Sequence, residues 1–201
     1  MKKLYVFIIL LLIGCSSDVP TLEKLSNNAV IVAFGDSLTY GVGASSDENY
    51  PAILSRLIQR EVINAGVSGE RTAQGLKRLP EILEEYQPDL LILCHGGNDM
   101  LRKTGEKKAA NNLIAMIEMA QEYESEVILI GVPKPQLFLS SAANFYAEIA
   151  TKMKIPYDGD IIADVLSRNS LKSDVIHPNA KGYQKIADAI MELLQQAKAI
   201  K

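Results

Sequence analysis

The chain holds two histidines, His95 and His177, so any mechanism that moves a proton through an imidazole has two candidates. His177 closes the run Asp174-Val175-Ile176-His177. A carboxylate three residues before a histidine in one loop can reach its Nδ1–H, fix the tautomer and support the imidazolium. Such a pair can activate a hydroxyl. Ser37, in Gly35-Asp36-Ser37-Leu38-Thr39, directly follows an apolar run. A serine, a base and an acid together attack acyl carbon, and that reaction also needs donors for an oxyanion. Asn64-Ala65-Gly66-Val67-Ser68-Gly69-Glu70 can aim a backbone N–H, and His95-Gly96-Gly97-Asn98-Asp99 offers a side-chain amide. Each run alone has a plainer account. Asp36 or Ser37 can cap a helix, Gly69 can serve a turn, Asn98 and Asp99 can bond their own backbone, and His177 can be a surface histidine. The spacing Gly41-x-Gly43 is weak evidence for a phosphate-binding turn, because the other glycines and the lysine are missing.

The elements around these runs decide between the accounts. Residues 29–34 are continuously apolar and β-branched, as a strand covered on both faces should be. Further strands are expected over 62–64, 90–94, 127–132 and 155–157. Helices are expected over 51–60, 72–86 (with Gly75 as a weak spot), 112–123 and 142–153. Ile186, Ile190, Leu193 and Leu194 stripe a C-terminal helix. Regular β-α alternation predicts an α/β fold, with a parallel sheet of about five strands between two helical layers. Right-handed crossovers then put the C-terminal strand ends along one edge, where ligands bind. The serine, the glycine loop and the amide each follow a predicted strand, and the Asp-His pair precedes the last helix. Their collection at one edge favours the chemical account.

These four runs resemble, in order, the blocks of the SGNH hydrolases, the GDSL esterase/lipase family. Gly35-Asp36-Ser37-Leu38 is similar to the first block, Gly69 to the second, Gly97-Asn98-Asp99 to the third and Asp174-x-x-His177 to the last. Asn49-Tyr50-Pro51-Ala52, Ser68-Gly69 and Gly96-Gly97-Asn98-Asp99 are most similar to the bacterial thioesterase I, lysophospholipase and arylesterase group. The resemblance implies a flavodoxin-like fold, an acyl-serine intermediate and no metal or organic cofactor. It implies that Ser37 is the nucleophile, that His177 takes and returns the proton, and that Asp174 orients His177. The N–H groups of Ser37 and Gly69 and the side chain of Asn98 would hold the oxyanion. Losing one such donor typically costs about 3–4 kcal/mol of transition-state stabilisation. His95 is expected to be a strand-end histidine bonded to backbone, with Asp99 the only acid near it in sequence, and Asp36 a structural hydrogen-bonder.

Two loops are candidates for an acyl pocket: one with Met100 and Leu101, the other with Leu137 and Phe138. The resemblance implies medium or long acyl esters, thioesters or lysophospholipids as substrates. Leu137, Phe138 and Leu139 read equally well as the buried start of the next helix. A carbohydrate or cell-wall O-acetylesterase is the alternative on the same triad, and a non-catalytic binding lipoprotein a remoter one.

The chain begins Met1-Lys2-Lys3, followed by an apolar stretch over 4–13 that is too short to span a bilayer comfortably. This is the layout of a signal peptide. Leu12-Ile13-Gly14-Cys15 is similar to the lipobox of bacterial lipoproteins, which implies cleavage before Cys15 and lipid on its sulfur. The expected layout is a signal peptide over 1–14, a lipidated cysteine and polar tether over 15–28, and the hydrolase domain over 29–201. Such a chain would be exported and membrane-held, facing periplasm or cell exterior. The 201 residues carry a formal charge of −3 and no basic block, which argues against a phosphate-tracking nucleic-acid binder. Two cysteines and two histidines are too few for a Cys/His zinc site. Cys94, inside an apolar run, is expected to be a core thiol.

Overall fold

The computed structural model describes residues 19–134 and 141–201. Five parallel strands form one sheet in the order β2-β1-β3-β4-β5. They are β1 (Val30–Gly35), β2 (Glu61–Gly66), β3 (Leu90–Cys94), β4 (Glu126–Ile130) and the short edge strand β5 (Tyr157–Asp158). The apolar runs of β1, β3 and β4 are buried, as strands covered on both faces require. Cys94, at the end of β3, lies in the core. β2, at the sheet edge, is mostly half-buried or exposed.

Helices α2 (Tyr50–Ile58), α7 (Ile161–Ser167) and α8 (Ala180–Gln196) pack together on one face. Helices α3 (Thr72–Tyr86), α5 (Glu106–Glu122) and α6 (Asn144–Met153) cover the other. The result is the expected three-layer α/β/α sandwich with flavodoxin-like strand order. Two short helices, α1 (Ser37–Tyr40) and α4 (Gly97–Leu101), follow β1 and β3. Gly35 lies opposite both Gly66 and Cys94, so β1, β2 and β3 end level. Beyond that line the chain leaves β1 towards one face and β3 towards the other. The crevice between diverging chains is where open α/β sheets bind ligands.

The elements depart from expectation where the sequence signal is thin. Helix α5 begins at Glu106 rather than 112, because its first turn is charged and exposed and buries only Ala109. Helix α7 is not expected from the sequence; seven residues give too little periodicity, although Ile162, Ala163, Val165 and Leu166 are all buried. The last strand lies at Tyr157–Asp158 rather than 155–157. The expected tether over 15–28 is, in its described part, packed on the domain. The Leu22 and Leu25 N–H groups donate to the carbonyls of Ala197 and Ala199, each at 2.9 Å. Leu25 is buried, and Val19 and Leu22 pack against the core. Three apolar residues at helix-like spacing, hidden among polar ones, are enough to seat the segment.

Gly75 is a close-packing site rather than a weak one. A methyl group built there would lie 2.6 Å from His95 Nε2 and 2.9 Å from its Cδ2. Alanine in a helix interior gains about 1 kcal/mol over glycine, but overpacking a core costs about 1–3 kcal/mol. Because His95 is fully buried, the clash should win. Gly75→Ala is expected to lower the thermal midpoint by roughly 2–6 °C in a domain of this size; an equal or higher midpoint would show that the His95 ring gives way freely.

Candidate active site

Ser37 stands at the first position of α1, one residue past the turn after β1. Asp36 caps that helix, its Oδ1 accepting the Leu38 N–H at 3.1 Å. The capping function therefore falls to Asp36, and the Ser37 hydroxyl is left for another partner. That partner is His177, whose Nε2 is 3.1 Å from Ser37 Oγ. Its Nδ1 is 2.8 Å from Asp174 Oδ2. The other carboxylate oxygen accepts the N–H groups of Ile176 at 2.8 Å and His177 at 2.9 Å. Partial burial pushes the Asp174 carboxyl up. The hydrogen bond from His177 and the backbone donors push it down and prevail, so it stays ionised below the usual carboxylate range. The turn is closed at its base. The Ser173 N–H donates to the His177 carbonyl at 2.9 Å, and Lys172 bridges Pro178. Asn179 then caps α8 through the Gly182 N–H.

Opposite this relay lie the two other predicted segments. The Val67 N–H donates to the Gly35 carbonyl at 3.0 Å, tying the β2 loop to β1. The Glu70 N–H donates to the Val67 carbonyl at 3.1 Å and closes a four-residue turn. Gly69, third in that turn, has φ +77°, a conformation suited to glycine. Asn98, in α4, donates through Nδ2 to the Glu70 carbonyl at 3.0 Å and to Asp36 Oδ2 at 3.3 Å. Both partners are acceptors, which fixes the amide orientation. Burial pushes the Asp36 carboxyl up, against the opposing pull of His95, the Leu38 N–H, Asn98 and His177. Asp36 is thus the structural hydrogen-bonder expected of it. Ser37, Asp174, His177, Gly69 and Asn98 all meet at the C-terminal edge of β1, β2 and β3. The arrangement can transfer a proton from a hydroxyl to an imidazole beside N–H donors suited to an oxyanion.

His95 follows β3 and is bonded to backbone as expected, and it has a further partner distant in sequence. The ring is fully buried, and its Nε2 contacts Glu70 Oε2 at 3.2 Å, an acid not expected to be near it. Its Nδ1 accepts the Gly96 N–H at 2.9 Å. Glu70 also pairs with Arg78, through Nε at 3.0 Å and Nη2 at 2.8 Å. The grouping of these three residues is missed by sequence reasoning, although His95 itself is singled out, since they come from separate segments and match no spacing. Asp99 is not His95's partner; it accepts from the Thr72 N–H at 2.8 Å and the Thr72 hydroxyl at 3.0 Å.

Of the residues expected to shape a pocket, Met100 is half-buried against the core, while Leu101 is 41% exposed. Leu137 and Phe138 lie outside the described residues, as does Cys15. Among the described residues, the large exposed apolar side chains include Tyr40, Val67, Leu101, Val175 and Ile176. All five stand on the loops and short helices that carry the site residues. Among the described residues, no group of three or more His, Cys, Asp or Glu side chains is placed to hold a metal ion.

Glu70 titrates in a revealing way. Burial pushes its carboxyl up, but His95 and Arg78 pull harder and hold it at about 2, against an ordinary 4.5. A depressed carboxylate contributes stability that is complete above the unfolded value and lost as pH falls towards the folded one. The thermal midpoint should therefore fall between pH 4.5 and about 2. Glu70→Gln should flatten that fall while lowering the midpoint at neutral pH. An unchanged acid slope in the variant would place the titration elsewhere.

Comparison with known proteins agrees with this fold. Esterase TesA of Pseudomonas aeruginosa is 27% identical over 198 residues, covering 92% of this chain and 97% of that protein. Thioesterase 1/protease 1/lysophospholipase L1 of Escherichia coli K12 is 28% identical over 172 residues, covering 82% and 83%. Among solved structures, AlinE4, an SGNH-hydrolase family esterase, superposes with a TM-score of 0.67 at 31% identity, covering 87% of this chain and 98% of that one. The model of the GDSL-like lipase/acylhydrolase family matches residues 33–185, a span that takes in both Ser37 and His177. A match across most of the chain, over a sheet of the expected order, leaves one conclusion: the chain belongs to the GDSL-like lipase/acylhydrolase family.

Proposed function

We propose that this protein is a serine esterase that hydrolyses acyl esters or thioesters through an acyl-serine intermediate. The observation that carries this is the relay itself: Ser37 Oγ 3.1 Å from His177 Nε2, and His177 Nδ1 2.8 Å from Asp174. In this reading, His177 takes the Ser37 proton as Oγ attacks the carbonyl carbon. Asp174 holds the imidazole in the tautomer that can accept it and stabilises the cation formed. The negative charge on the carbonyl oxygen goes to the N–H groups of Ser37 and Gly69 and to the Asn98 amide. Ser37 opens α1, so its N–H has no partner within the helix. His177 then protonates the leaving group, and water, deprotonated by the same ring, releases the acid.

The exposed apolar side chains of Tyr40, Val67, Leu101, Val175 and Ile176, on the segments that carry the site residues, support substrates with medium or long acyl chains, lysophospholipids included. The relatives named as an esterase and as a thioesterase/lysophospholipase support the same class. Anchorage belongs to the same proposal. The run before Cys15 supports a lipid-anchored, exported protein whose site faces the periplasm or cell exterior.

The decisive test is hydrolysis of nitrophenyl esters from acetate to palmitate. Turnover should peak at medium or long chains. Ser37→Ala and His177→Ala should each lose about ten-thousand-fold or more in kcat, while His95→Ala keeps measurable turnover. The reverse ranking of the two histidines would overturn the triad, and activity confined to acetate would favour an O-acetylesterase. Anchorage has its own check. In a bacterial host, the full chain should incorporate labelled palmitate, and Cys15→Ser should abolish the label; equal labelling would remove Cys15 as the attachment point.

A further inference from the structure

The His95–Glu70–Arg78 group takes no part in the proton relay, yet it lies beside both loop donors that the reaction needs. Glu70 ends the turn around Gly69 through its own N–H, and its carbonyl accepts from Asn98. One residue thus fixes the Gly69 turn with one backbone group and the Asn98 amide with the other. Pinning one Asn98 N–H on Glu70 leaves the second a single direction, because the amide is planar. That second N–H donates to Oδ2 of Asp36, the residue before Ser37, in a longer contact of 3.3 Å that an oxyanion has to share or replace.

Glu70 is itself clamped. Its carboxylate receives Nε and Nη2 of Arg78 and faces Nε2 of His95. Arg78 is fixed in turn by the Ala65 carbonyl at 3.0 Å and by the Phe34 ring, whose centroid is 4.2 Å from its guanidinium carbon. The His95 ring is packed closely against Gly75. Because Nδ1 accepts the Gly96 N–H, the neutral ring carries its proton on Nε2 and donates it to Glu70. A carboxylate held by three donors on immobile elements gives its backbone little freedom.

We propose that Glu70 is a positioning residue for acyl transfer, clamped by Arg78 and His95 so that the Gly69 N–H and the Asn98 amide converge on the substrate oxyanion. This rests on the serine-esterase reading of Ser37 and His177. The bond serves the transition state rather than substrate capture, so its loss should appear in kcat.

The test is a double-mutant cycle on nitrophenyl butyrate with Glu70→Gln, Asn98→Ala and both together, with thermal midpoints measured in parallel. Glu70→Gln should lower kcat about ten- to a hundredfold, the range for a misplaced catalytic group. KM should stay within about twofold and the pH profile should keep its shape, which a disturbed relay would not allow. In the Asn98→Ala background the same change should cost less than about threefold, because the group it positions is gone. His95→Gln, which leaves the Arg78 pair intact, should show a smaller loss of the same kind and serves where Glu70→Gln does not fold. Wild-type kcat in a folded variant, or the full loss repeated in the Asn98→Ala background, would overturn the proposal. A parent enzyme without Ser37-dependent turnover would sink the esterase reading instead, leaving the clamp a purely structural group.

Discussion

The site depends on β1 and β3 lying side by side, close enough that only glycine fits at the end of β1. A methyl group at Gly35 would lie 2.1 Å from the Cys94 carbonyl oxygen and 2.3 Å from Thr39 Oγ1. That approach lets Ser37 follow one strand and Asn98 the other within reach of a common point. The register of β1 with β2 also brings Gly66 level with Gly35, so the Gly69 turn starts at the same height. A larger residue at Gly35 would separate Ser37 from Gly69 and Asn98 even if all three were retained. Parallel strand order and one missing Cβ therefore come before the chemistry.

Bringing three loops together buries polar groups, and the structure answers that with mutual bonding. Asp36, Glu70, His95 and Asp99 are all nearly inaccessible to water. Among the described residues, no buried side-chain nitrogen or oxygen lacks a hydrogen-bond partner. A buried ion pair such as Glu70 with Arg78 adds little net stability over an apolar substitute, because desolvation offsets most of the attraction. What it adds here is direction. Each partner has one geometry in which all its bonds are made, and in that geometry the Glu70 carbonyl faces Asn98.

Much of this was legible in the sequence, and the exceptions have physical causes. Strand β3 and helix α3 match their predicted limits, because a fully apolar run and a long amphipathic one leave little ambiguity. Helix α7 and the first turn of α5 were not legible, since tertiary burial of a few residues, rather than period, holds them. The segment around Leu25 reads as polar by composition, yet three apolar side chains seat it. Gly75 reads as a helix flaw and is instead where a buried ring needs room.

The site divides the same way, and the division follows from how each half is built. The acid–base half is local. Asp174 bonds the N–H groups of Ile176 and His177 and the ring between them, so the turn orients its own histidine. That is why a spacing of three residues discloses it, and why Asp174 can do this while 52% exposed. The proposed oxyanion half is not local. The proposed donors on Ser37, Gly69 and Asn98 come from α1, the β2 loop and α4, and Glu70, Arg78 and His95, proposed to brace them, come from a loop, a helix and a strand end. No spacing encodes that group; only the register of the sheet assembles it. Donors aimed at charge that develops in the transition state are useful in proportion to their rigidity. The buried, many-membered half is accordingly where rigidity is concentrated, and the exposed turn needs only to keep one ring in place.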